Sequence, residues 1–536
     1  MRIKFIGATH EVTGSCTLLE VCDKYYMIDC GMEQGKDVFQ NISLPIPARQ
    51  IEAVFLTHAH IDHSGMLPKL YKDGFRGLIY ATEETCNLCD IMLRDSAHIQ
   101  EFESKWRSRK ATRAGNELLE PTYTLEEAVQ TITLFKKCKY NDIISVGNDI
   151  KLRFTDIGHL LGSACIEIWL SEGQVNKKIV FSGDVGNLNQ RIINDPKQVD
   201  ETDYLVIEST YGNRVHSSDR SNVQKELADC IQSTFDRGGN VVIPSFAVGR
   251  TQEMLYLLRE IKQNKLIKGH DGFKVYVDSP LAAEATNIFK GCNPICFDEE
   301  TRAILDSGIN PIWFKDIKMT LTAEDSKEIN FIEQPKVIIS ASGMCEAGRI
   351  KHHLKHNLWR EECTVLFVGY QAEGSLGRRL LEGEKTVTLF GEDVYVRAQI
   401  RSLHGTSGHA DVNGLMRWVK GYSKKPELIF VNHGDDDSCE DFKNLLKENG
   451  YRADAPYSGA EYDLVTGRIT FFADGKRIVK DKYDKNKNRA NSVYLKLVDE
   501  TEKLLTLVKG RKSRTNKENA KLTAQIRAIY DRWKGE

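Results

Sequence analysis

The feature that most constrains the fold is a repeated pattern of short Val- and Ile-rich runs, each followed by Gly, Asp, His or Ser. Runs of this length between turn residues are typical of buried strands. Helix-period stretches separate many of them, and this alternation predicts an α/β architecture with polar residues at the strand ends. The predicted strands are 53–56, 179–181, 204–207, 241–243, 275–277, 337–339, 365–368 and 428–431, and the predicted helices include 221–237 and 251–263.

The length and composition predict an ordinary globular protein of two or three domains. A chain of 536 residues is too long for one hydrophobic core, and its 41% apolar and 28% charged residues are typical of globular proteins. No run approaches the roughly eighteen apolar residues of a membrane span, and the N-terminus has no signal-peptide run. The 13 cysteines lack the spacing of a disulfide scaffold. We therefore expect no membrane contact and a cytoplasmic location.

The net charge of −2 conceals a charge division between the C-terminal segment and the rest of the chain. Residues 476–536 carry +10 and the remainder carries −12. A basic tail on an acidic body suggests contact with a polyanion, although a solvated tail or a self-association arm has the same composition. The tail is predicted to form two amphipathic helices around a basic turn at 510–514. Segment 85–150 is predicted to be partly helical and to elaborate the first domain, without an assigned role.

The sharpest chemical signal is the block His58-Ala-His60-Ile-Asp62-His63, which directly follows a predicted strand. Three imidazoles and a carboxylate in one strand-end loop can converge on a divalent metal. Zinc suits this set of ligand types, and manganese and iron fit it as well. A solvated polar turn or core histidines with satisfied hydrogen bonds are the alternatives.

Three further residues at strand ends extend the candidate metal site. His159 lies in a turn between glycines, Asp184 lies in the strand-to-turn segment FSGDVG, and Asp29 ends another apolar run. Taken singly, His159 fits a core histidine and the two aspartates fit ordinary turns. Their order, with Asp29 before the histidine block and His159 and Asp184 after it, favours a shared site.

Asp29, the histidine block, His159 and Asp184, in that order, resemble the motifs of the metallo-β-lactamase fold. The resemblance implies two zinc ions, with manganese or iron as substitutes, and it implies that Asp29 orients a ligand histidine without touching metal. The implied ligands are His58, His60 and His159 for one metal, Asp62 and His63 for the other, and Asp184 as the bridge.

Motifs in the second half of the chain resemble those of the β-CASP nucleases, which carry a domain inserted into this fold. They are Glu208-Ser-Thr-Tyr-Gly, Ser407-Gly-His409-Ala-Asp411, Val431-Asn-His433-Gly-Asp435, and the segments 244–253, 278–282 and 340–344. The resemblance covers roughly residues 1–475. It implies an αββα sandwich with an inserted α/β domain and a helical basic extension. The implied parts are 1–210 and 393–475 for the sandwich, 211–392 for the insertion and 476–536 for the extension.

The resemblance is to bacterial β-CASP ribonucleases related to the nuclease subunit of the eukaryotic pre-mRNA 3′-end cleavage factor; ribonuclease J is a more distant relative. It implies a zinc-dependent ribonuclease that hydrolyses single-stranded RNA in the cleft between the domains, through a hydroxide bridging two metals. His433 would complete the second metal's ligands, and it matches the RNA-cleaving members, because DNA-processing members commonly carry valine there. The resemblance also implies a homodimer.

Four residues are the predicted catalytic group: Asp62, Asp184, Glu208 and His409. His409 is the candidate general acid, which Glu208 would orient and make more basic. A salt bridge that only closes the two domains is the alternative for this pair. Ser342 and Gly343 are predicted to bind phosphate through backbone N–H groups, with Arg250 and Arg378 as electrostatic candidates. Ion pairs are the alternative for both arginines.

Two other groups of metal-ligating residue types are predicted to be structural. Cys86 and Cys89 lack a matching second pair, so they are predicted to lie on an ordinary helix face. His352, His353 and His356 are predicted to belong to a polar helix after the phosphate loop.

Several functions compete with the ribonuclease prediction. The same fold hosts DNA nucleases, small phosphodiesterases and thioesterases, and substrate cannot be derived from fold alone. The inserted domain disfavours a thioesterase, and His433 disfavours a DNA nuclease. A non-catalytic RNA-binding subunit is the alternative from another class, and it is disfavoured because no predicted ligand is missing.

Overall fold

The computed structural model describes residues 1–35, 38–113, 120–216, 222–403, 405 and 407–478, and in the tail residues 497, 501, 504–505, 507–508 and 515–533. The chain divides into two compact units, Met1–Arg477 and Ile478–Glu536. The strands are β1 (Arg2–Gly7), β2 (Cys16–Val21), β3 (Lys24–Ile28), β4 (Ile51–Phe55), β5 (Leu78–Thr82), β6 (Phe135–Cys138), β7 (Ile144–Val146), β8 (Ile150–Asp156), β9 (Ala164–Glu172), β10 (Val175–Phe181), β11 (Tyr204–Glu208), β12 (Val241–Pro244), β13 (Val275–Val277), β14 (Ile317–Met319), β15 (Val337–Ser340), β16 (Thr364–Phe367), β17 (Thr386–Leu389), β18 (Glu392–Tyr395), β19 (Gln399–Ser402), β20 (Leu428–Asn432), β21 (Ala453–Asp454), β22 (Glu461–Asp463) and β23 (Arg468–Phe471).

Helices connect most of these strands. They are α1 (Ile61–Ser64), α2 (Leu67–Lys72), α3 (Glu83–Arg113), α4 (Leu125–Ile132), α5 (Val223–Asp236), α6 (Arg250–Gln263), α7 (Pro280–Gly291), α8 (Glu299–Asp306), α9 (Ala323–Ile329), α10 (Ile350–Asn357), α11 (Leu376–Leu381), α12 (Val412–Lys420), α13 (Asp436–Glu448) and α14 (Asn516–Trp533). All eight predicted strands and both predicted helices, 221–237 and 251–263, correspond to elements of this set.

Two sheets pack face to face in the first unit. One has eight strands in the order β23-β22-β1-β2-β3-β4-β5-β6, and the other has seven in the order β21-β20-β11-β10-β9-β8-β7. Their facing side chains form one apolar core that includes Phe5, Phe55, Phe154 and Phe430. Helices α12 and α13 cover the outer face of the seven-stranded sheet, and α3 packs on β5 and β6 of the other. The result is the predicted αββα sandwich.

The inserted part is built on a six-stranded parallel sheet in the order β14-β13-β15-β12-β16-β19. Alternate side chains of β12 enter different cores: Val241 and Ile243 pack with residues of α5 to α7, and Val242 packs with residues of α10 and α11. Because the strands are parallel, all of their carboxyl ends lie at one edge. Strand β19 pairs with β16, so this sheet continues past the boundary predicted at 392.

Segment 85–150 extends both sheets of the sandwich as well as adding helices. Strand β6 pairs with β5 at the edge of the eight-stranded sheet, and β7 pairs with β8 at the edge of the seven-stranded sheet. Helix α4 begins at a capping box, in which the Thr124 side chain accepts from the backbone N–H of Glu127 and the Glu127 carboxylate accepts from that of Thr124. Cys86 and Cys89 lie buried on α3, as the helix-face prediction requires.

The second unit contains α14, which corresponds to the second predicted tail helix and has no buried residue. The described residues between 497 and 508 are helical where the first tail helix was predicted; the rest of that helix and the basic turn at 510–514 lie outside the described residues. None of the helices described is both long and apolar enough to cross a membrane.

Candidate metal centre and catalytic residues

The histidine block lies where β4 leaves the eight-stranded sheet and the chain turns into α1. His58 and His60 belong to the turn, and Asp62 and His63 belong to the first turn of α1. His58 and His63 are fully buried, while the Asp62 side chain is partly exposed. The short helix therefore directs two of these side chains inward beside the two histidines of the turn.

The other predicted ligands come from strand ends of the seven-stranded sheet. His159 follows β8, Asp184 follows β10, and His433 follows β20. Gly183, with a φ of +56°, precedes Asp184, and a Cβ atom there would lie 2.9 Å from the Cβ atom of Thr57. Only glycine fits this close approach in the left-handed region, which brings Asp184 up to the histidine turn.

Four side chains form the first candidate ligand group. The Nδ1 atom of His60 lies 3.1 Å from Nε2 of His58 and 3.3 Å from Nε2 of His159. The Oδ2 atom of Asp184 lies 3.4 Å from Nε2 of His58 and 3.5 Å from Nε2 of His159. One ligand atom from each of the four lies within 4.8 Å of the others, so one cation can contact all of them.

The second candidate group lies on the other side of the Asp184 carboxylate. The Nε2 atoms of His63 and His433 are 3.0 Å apart, and Oδ2 of Asp62 lies 3.6 Å from Nε2 of His433. The Oδ1 atom of Asp184 lies 3.3 Å from Nε2 of His63 and 3.7 Å from Nδ1 of His433. Asp184 therefore presents one oxygen to each group, which is the arrangement required of a bridging ligand.

Two of the histidines form hydrogen bonds through Nδ1, which leaves Nε2, the nitrogen that faces the centre, for a metal ion. His159 donates from Nδ1 to the carbonyl oxygen of Gly408, and His63 donates from Nδ1 to Asp29 at 2.7 Å. Nε2 of the neutral His159 ring is then an acceptor that faces other acceptors, and Nε2 of His63 becomes one when that ring loses its proton. The buried Oδ1 atom of Asp184 also lacks a well-aligned hydrogen bond. Acceptors that converge without a donor fit a metal cation.

Protonation in the absence of metal is consistent with the same conclusion. Burial lowers the pKa of His58 and of His159 well below the usual value, which keeps both rings neutral and able to bind metal. Burial also lowers the pKa of His63, but the Asp184 and Asp29 carboxylates outweigh it and raise that pKa well above the usual value. The carboxylates thus attract positive charge to the centre, and a metal ion can replace the proton.

Asp29 orients His63 and belongs to neither ligand group. It follows β3 with a φ of +57°, and its Oδ1 atom accepts from the backbone N–H of Thr57 at 2.8 Å. Oδ2 accepts from Ser15 Oγ and from Nδ1 of His63. A carboxylate that holds the outer nitrogen of a histidine fixes the direction of the inner one.

Glu208 and His409 form a pair beside the centre, as the sequence predicted. Both Glu208 oxygens lie 3.2 Å from Nδ1 of His409, and Glu208 also accepts from the backbone N–H of Val185 at 2.6 Å. Burial lowers the pKa of His409, but Glu208 and Asp184 outweigh it and raise that pKa to about 9. His409 Nδ1 is 4.0 Å from Oδ2 of Asp184, so its imidazolium lies at the edge of the centre.

The four predicted phosphate-binding residues lie on the inserted domain, and several of them have local partners. In the loop after β15, Ser342 donates to the carbonyl oxygen of Ala347 from its backbone N–H at 3.2 Å as well as from Oγ, so the N–H predicted to bind phosphate already has a partner, and Gly343 is buried. Arg250 forms an ion pair with Glu253, and Arg378 forms one with Glu382 at 2.6 Å. The alternative interpretation of the two arginines, local ion pairs, therefore has direct support.

Sequence reasoning missed a buried charged network at the edge of the inserted sheet. The Asp278 carboxylate, fully buried after β13, accepts from His353 Nε2 at 2.6 Å and from Arg349 Nη1 at 2.8 Å. Thr320 and Ser326 donate to the same carboxylate. His353 lies on α10, as predicted, but it is fully buried there, because this carboxylate compensates its polar ring. Arg349 and His353 lie 71 and 75 residues from Asp278 in the chain, so no short sequence pattern predicts that they meet.

We predict that Asp278→Ala destabilises the protein by about 3–5 kcal/mol, because it leaves the buried His353 ring without its hydrogen-bond acceptor and Arg349 without its counter-charge. Urea unfolding followed by circular dichroism would measure the change. Asp316→Ala is the matched control, since Asp316 pairs with Lys262 and Lys274 near the surface and its loss should cost about 1 kcal/mol or less. Equal effects of the two substitutions would contradict the prediction.

Comparisons with known proteins agree with this geometry. Residues 11–233 match the metallo-beta-lactamase superfamily, residues 251–380 match the Beta-Casp domain, and residues 393–456 match the Zn-dependent metallo-hydrolase RNA specificity domain. The chain is 34% identical over 453 residues to ribonuclease TTHA0252 of Thermus thermophilus, covering 84% of this chain and 97% of that protein.

Archaeal proteins are also similar over most of their length. The transcription termination factor FttA of Methanothermobacter thermautotrophicus is 34% identical over 483 residues, covering 87% of this chain and 72% of that protein. The factor of the same name from Methanosarcina mazei is 31% identical over 458 residues, covering 83% and 69%.

Proposed function

Because the chain belongs to the β-CASP family of metallo-β-lactamase-superfamily hydrolases, we propose that it is a zinc-dependent ribonuclease that hydrolyses single-stranded RNA. The observation that carries the proposal is the position of Asp184 between two groups of metal-ligand side chains, with the Glu208–His409 pair beside them. A thioesterase or a non-catalytic binding subunit would not need this complete combination.

We assign the ligands from the converging acceptors. His58, His60 and His159 would hold one zinc ion, and Asp62, His63 and His433 would hold the other, with Asp184 between them. Two zinc ions there would activate water at neutral pH and neutralise charge on the scissile phosphate. Asp29 would keep Nε2 of His63 directed at its metal. The number and identity of the ions, and the bridging hydroxide, stay predictions.

His409 would act as the general acid for the departing oxygen. Its raised pKa keeps the ring protonated near pH 7, and Nδ1 is occupied by Glu208. Nε2 is therefore the nitrogen from which a proton can move to the leaving group. Because Glu208 is itself held by the backbone N–H groups of Val185 and Thr210, the direction of the imidazolium is fixed before substrate binds.

RNA is favoured over DNA by the similarity to a named ribonuclease and by the match of residues 393–456 to an RNA specificity domain. The histidine at position 433 adds to this, because DNA-processing members of the family commonly carry valine there, and His433 belongs to the second ligand group. The basic tail suits a polyanion such as single-stranded RNA, without separating RNA from DNA. Homodimerisation stays a prediction.

The test is hydrolysis of a single-stranded RNA and of the DNA with the same sequence, each labelled separately at its two ends. Zinc-loaded protein is expected to cleave the RNA, and removal of metal with a chelator should abolish cleavage until zinc is restored. The product ladders would separate endonuclease from exonuclease. Two bound metals without cleavage of either polymer would overturn the proposal and direct attention to small phosphodiesters and thioesters.

A further inference from the structure

Two half-exposed aromatic rings follow neighbouring strands at the carboxyl-end edge of the inserted sheet. Phe246 comes directly after Ser245 at the end of β12, and Tyr370 follows the end of β16, which pairs with β12. Phe246 is 46% exposed and Tyr370 is 52% exposed. We call these two side chains the aromatic rim.

The backbone beneath the Phe246 ring is firmly held. The carbonyl oxygen of Phe246 accepts from the backbone N–H of Thr251 at 3.3 Å and from its hydroxyl at 2.7 Å, and the backbone N–H of Ser245 donates to Ser340 at 3.0 Å. The exposure of the ring is therefore set by a fixed turn. A rigid, exposed aromatic surface loses little conformational entropy when a planar ligand stacks on it.

The rim adjoins the loop that was predicted to bind phosphate. A Cβ atom at Gly343 would lie 3.2 Å from two carbons of the Phe246 ring, so the glycine leaves room for the ring against the loop. The Gln371 side chain joins this loop to Tyr370, because its Nε2 atom donates to the carbonyl oxygens of Gly343 and Tyr370, each at 3.0 Å. Both residues are thus joined to the same loop, Phe246 through the position of its ring at Gly343 and Tyr370 through the Gln371 side chain.

The aromatic rim is also connected to the candidate metal centre. A Cβ atom at Gly249, three residues after Phe246, would lie 3.1 Å from the Leu160 side chain, which is next to the ligand His159. Burial raises the pKa of Tyr211, and the nearby Tyr370 phenol raises it further, while the Tyr211 ring lies 6.0 Å from the His409 ring. The aromatic rim is therefore linked to the ligand His159 through Gly249 and Leu160, and to the candidate general acid His409 through Tyr211.

We propose that the aromatic rim is a base-stacking subsite, in which Phe246 and Tyr370 hold unpaired bases next to the scissile phosphate. The inference rests on the proposed function and identifies residues that position its substrate. Every base has a flat π-face, so stacking would secure a single strand without reading its sequence. A paired base already stacked in a duplex cannot offer that face, so the rim would also select single strands.

The experiment is a binding cycle with zinc-loaded protein in a His409→Ala background, which should leave the RNA uncleaved. Fluorescence anisotropy would measure the affinity for a labelled oligoribonucleotide and for a set of oligonucleotides in which one abasic site moves along the strand. Phe246→Ala is expected to weaken binding of the intact strand about tenfold, or about 1.4 kcal/mol, within the range for one stacked base. Phe246→Trp should restore it.

The base that stacks on Phe246 can be identified because the losses of affinity from its removal and from Phe246→Ala should not add. Removing that base from the RNA should weaken binding to the parent protein about tenfold and should have little further effect on the Phe246→Ala variant. Tyr370→Ala should show the same coupling at a different base. Phe331→Ala is the matched control, because Phe331 is 82% exposed but lies on the connection that enters the amino end of β15.

Three results would overturn the subsite. They are unchanged binding by Phe246→Ala, additive losses at every abasic position, and an equal loss in Phe331→Ala. Cleavage by the protein with His409 intact is measured separately. RNA binding with the expected coupling but without cleavage would defeat the ribonuclease proposal alone, whereas cleavage without coupling would defeat the subsite alone.

Discussion

Asp184→Asn is expected to reduce bound metal and RNA hydrolysis together, with the hydrolysis rate falling by about two orders of magnitude or more. Asp184 presents Oδ2 to the histidines of one ligand group and Oδ1 to those of the other. An amide has the same shape but no charge, and only one of its two terminal atoms can bind a cation. Metal content by atomic emission and the rate of RNA hydrolysis would be measured on the same preparation.

Glu167→Gln is the matched control for this substitution. Glu167 is a fully buried carboxylate on β9 that pairs with Arg153 and Lys178, and it belongs to neither candidate ligand group. Its replacement should lower stability and leave the metal content unchanged. If Asp184→Asn retained both metals and full activity, Asp184 would not be a bridging ligand.

His409→Ala is expected to reduce RNA cleavage by about 10²–10⁴-fold, the usual contribution of a general acid, while about two metals stay bound. Nδ1 of His409 contacts Glu208, and the ring is absent from both ligand groups. The loss should be small for a phosphodiester whose leaving group departs without a proton, such as a p-nitrophenolate. Rates on this ester and on RNA, together with metal content, would be compared.

The comparison between the two substrates separates the catalytic role of His409 from a structural one. His352→Ala is the matched control, since His352 stacks on Phe390 outside the centre and should leave both rates unchanged. An equal loss on RNA and on the activated ester would indicate damage to the site as a whole. Loss of metal from His409→Ala would make His409 a ligand or a structural residue.

The sequence alone predicted the features that depend on a few neighbouring residues. Val- and Ile-rich runs between turn residues identified β12, β13, β15, β16 and β20, because a buried strand needs only a short apolar run and a turn on each side. The block from His58 to His63 was recognisable for the same reason, since four candidate ligands within six residues are close together in any fold of that loop. Asp29, His159 and Asp184 were indicated by their strand-end positions, but each also fits an ordinary turn or core residue, so their roles and that of His433 came from the resemblance.

Only the tertiary structure determined which distant side chains meet and which form other contacts. His63 and His433 are 370 residues apart, yet their Nε2 atoms are separated by 3.0 Å because the ends of different strands converge there. By contrast, the Arg378–Glu382 ion pair is local, and an ion pair was already the alternative that the sequence offered for Arg378. His353 was predicted to belong to a polar helix, and only the packing of that helix shows that it is buried against Asp278. Turn chemistry and periodicity act over a few residues, whereas partners, burial and pKa depend on packing between segments far apart in the chain, and this packing is not encoded in any short stretch of it.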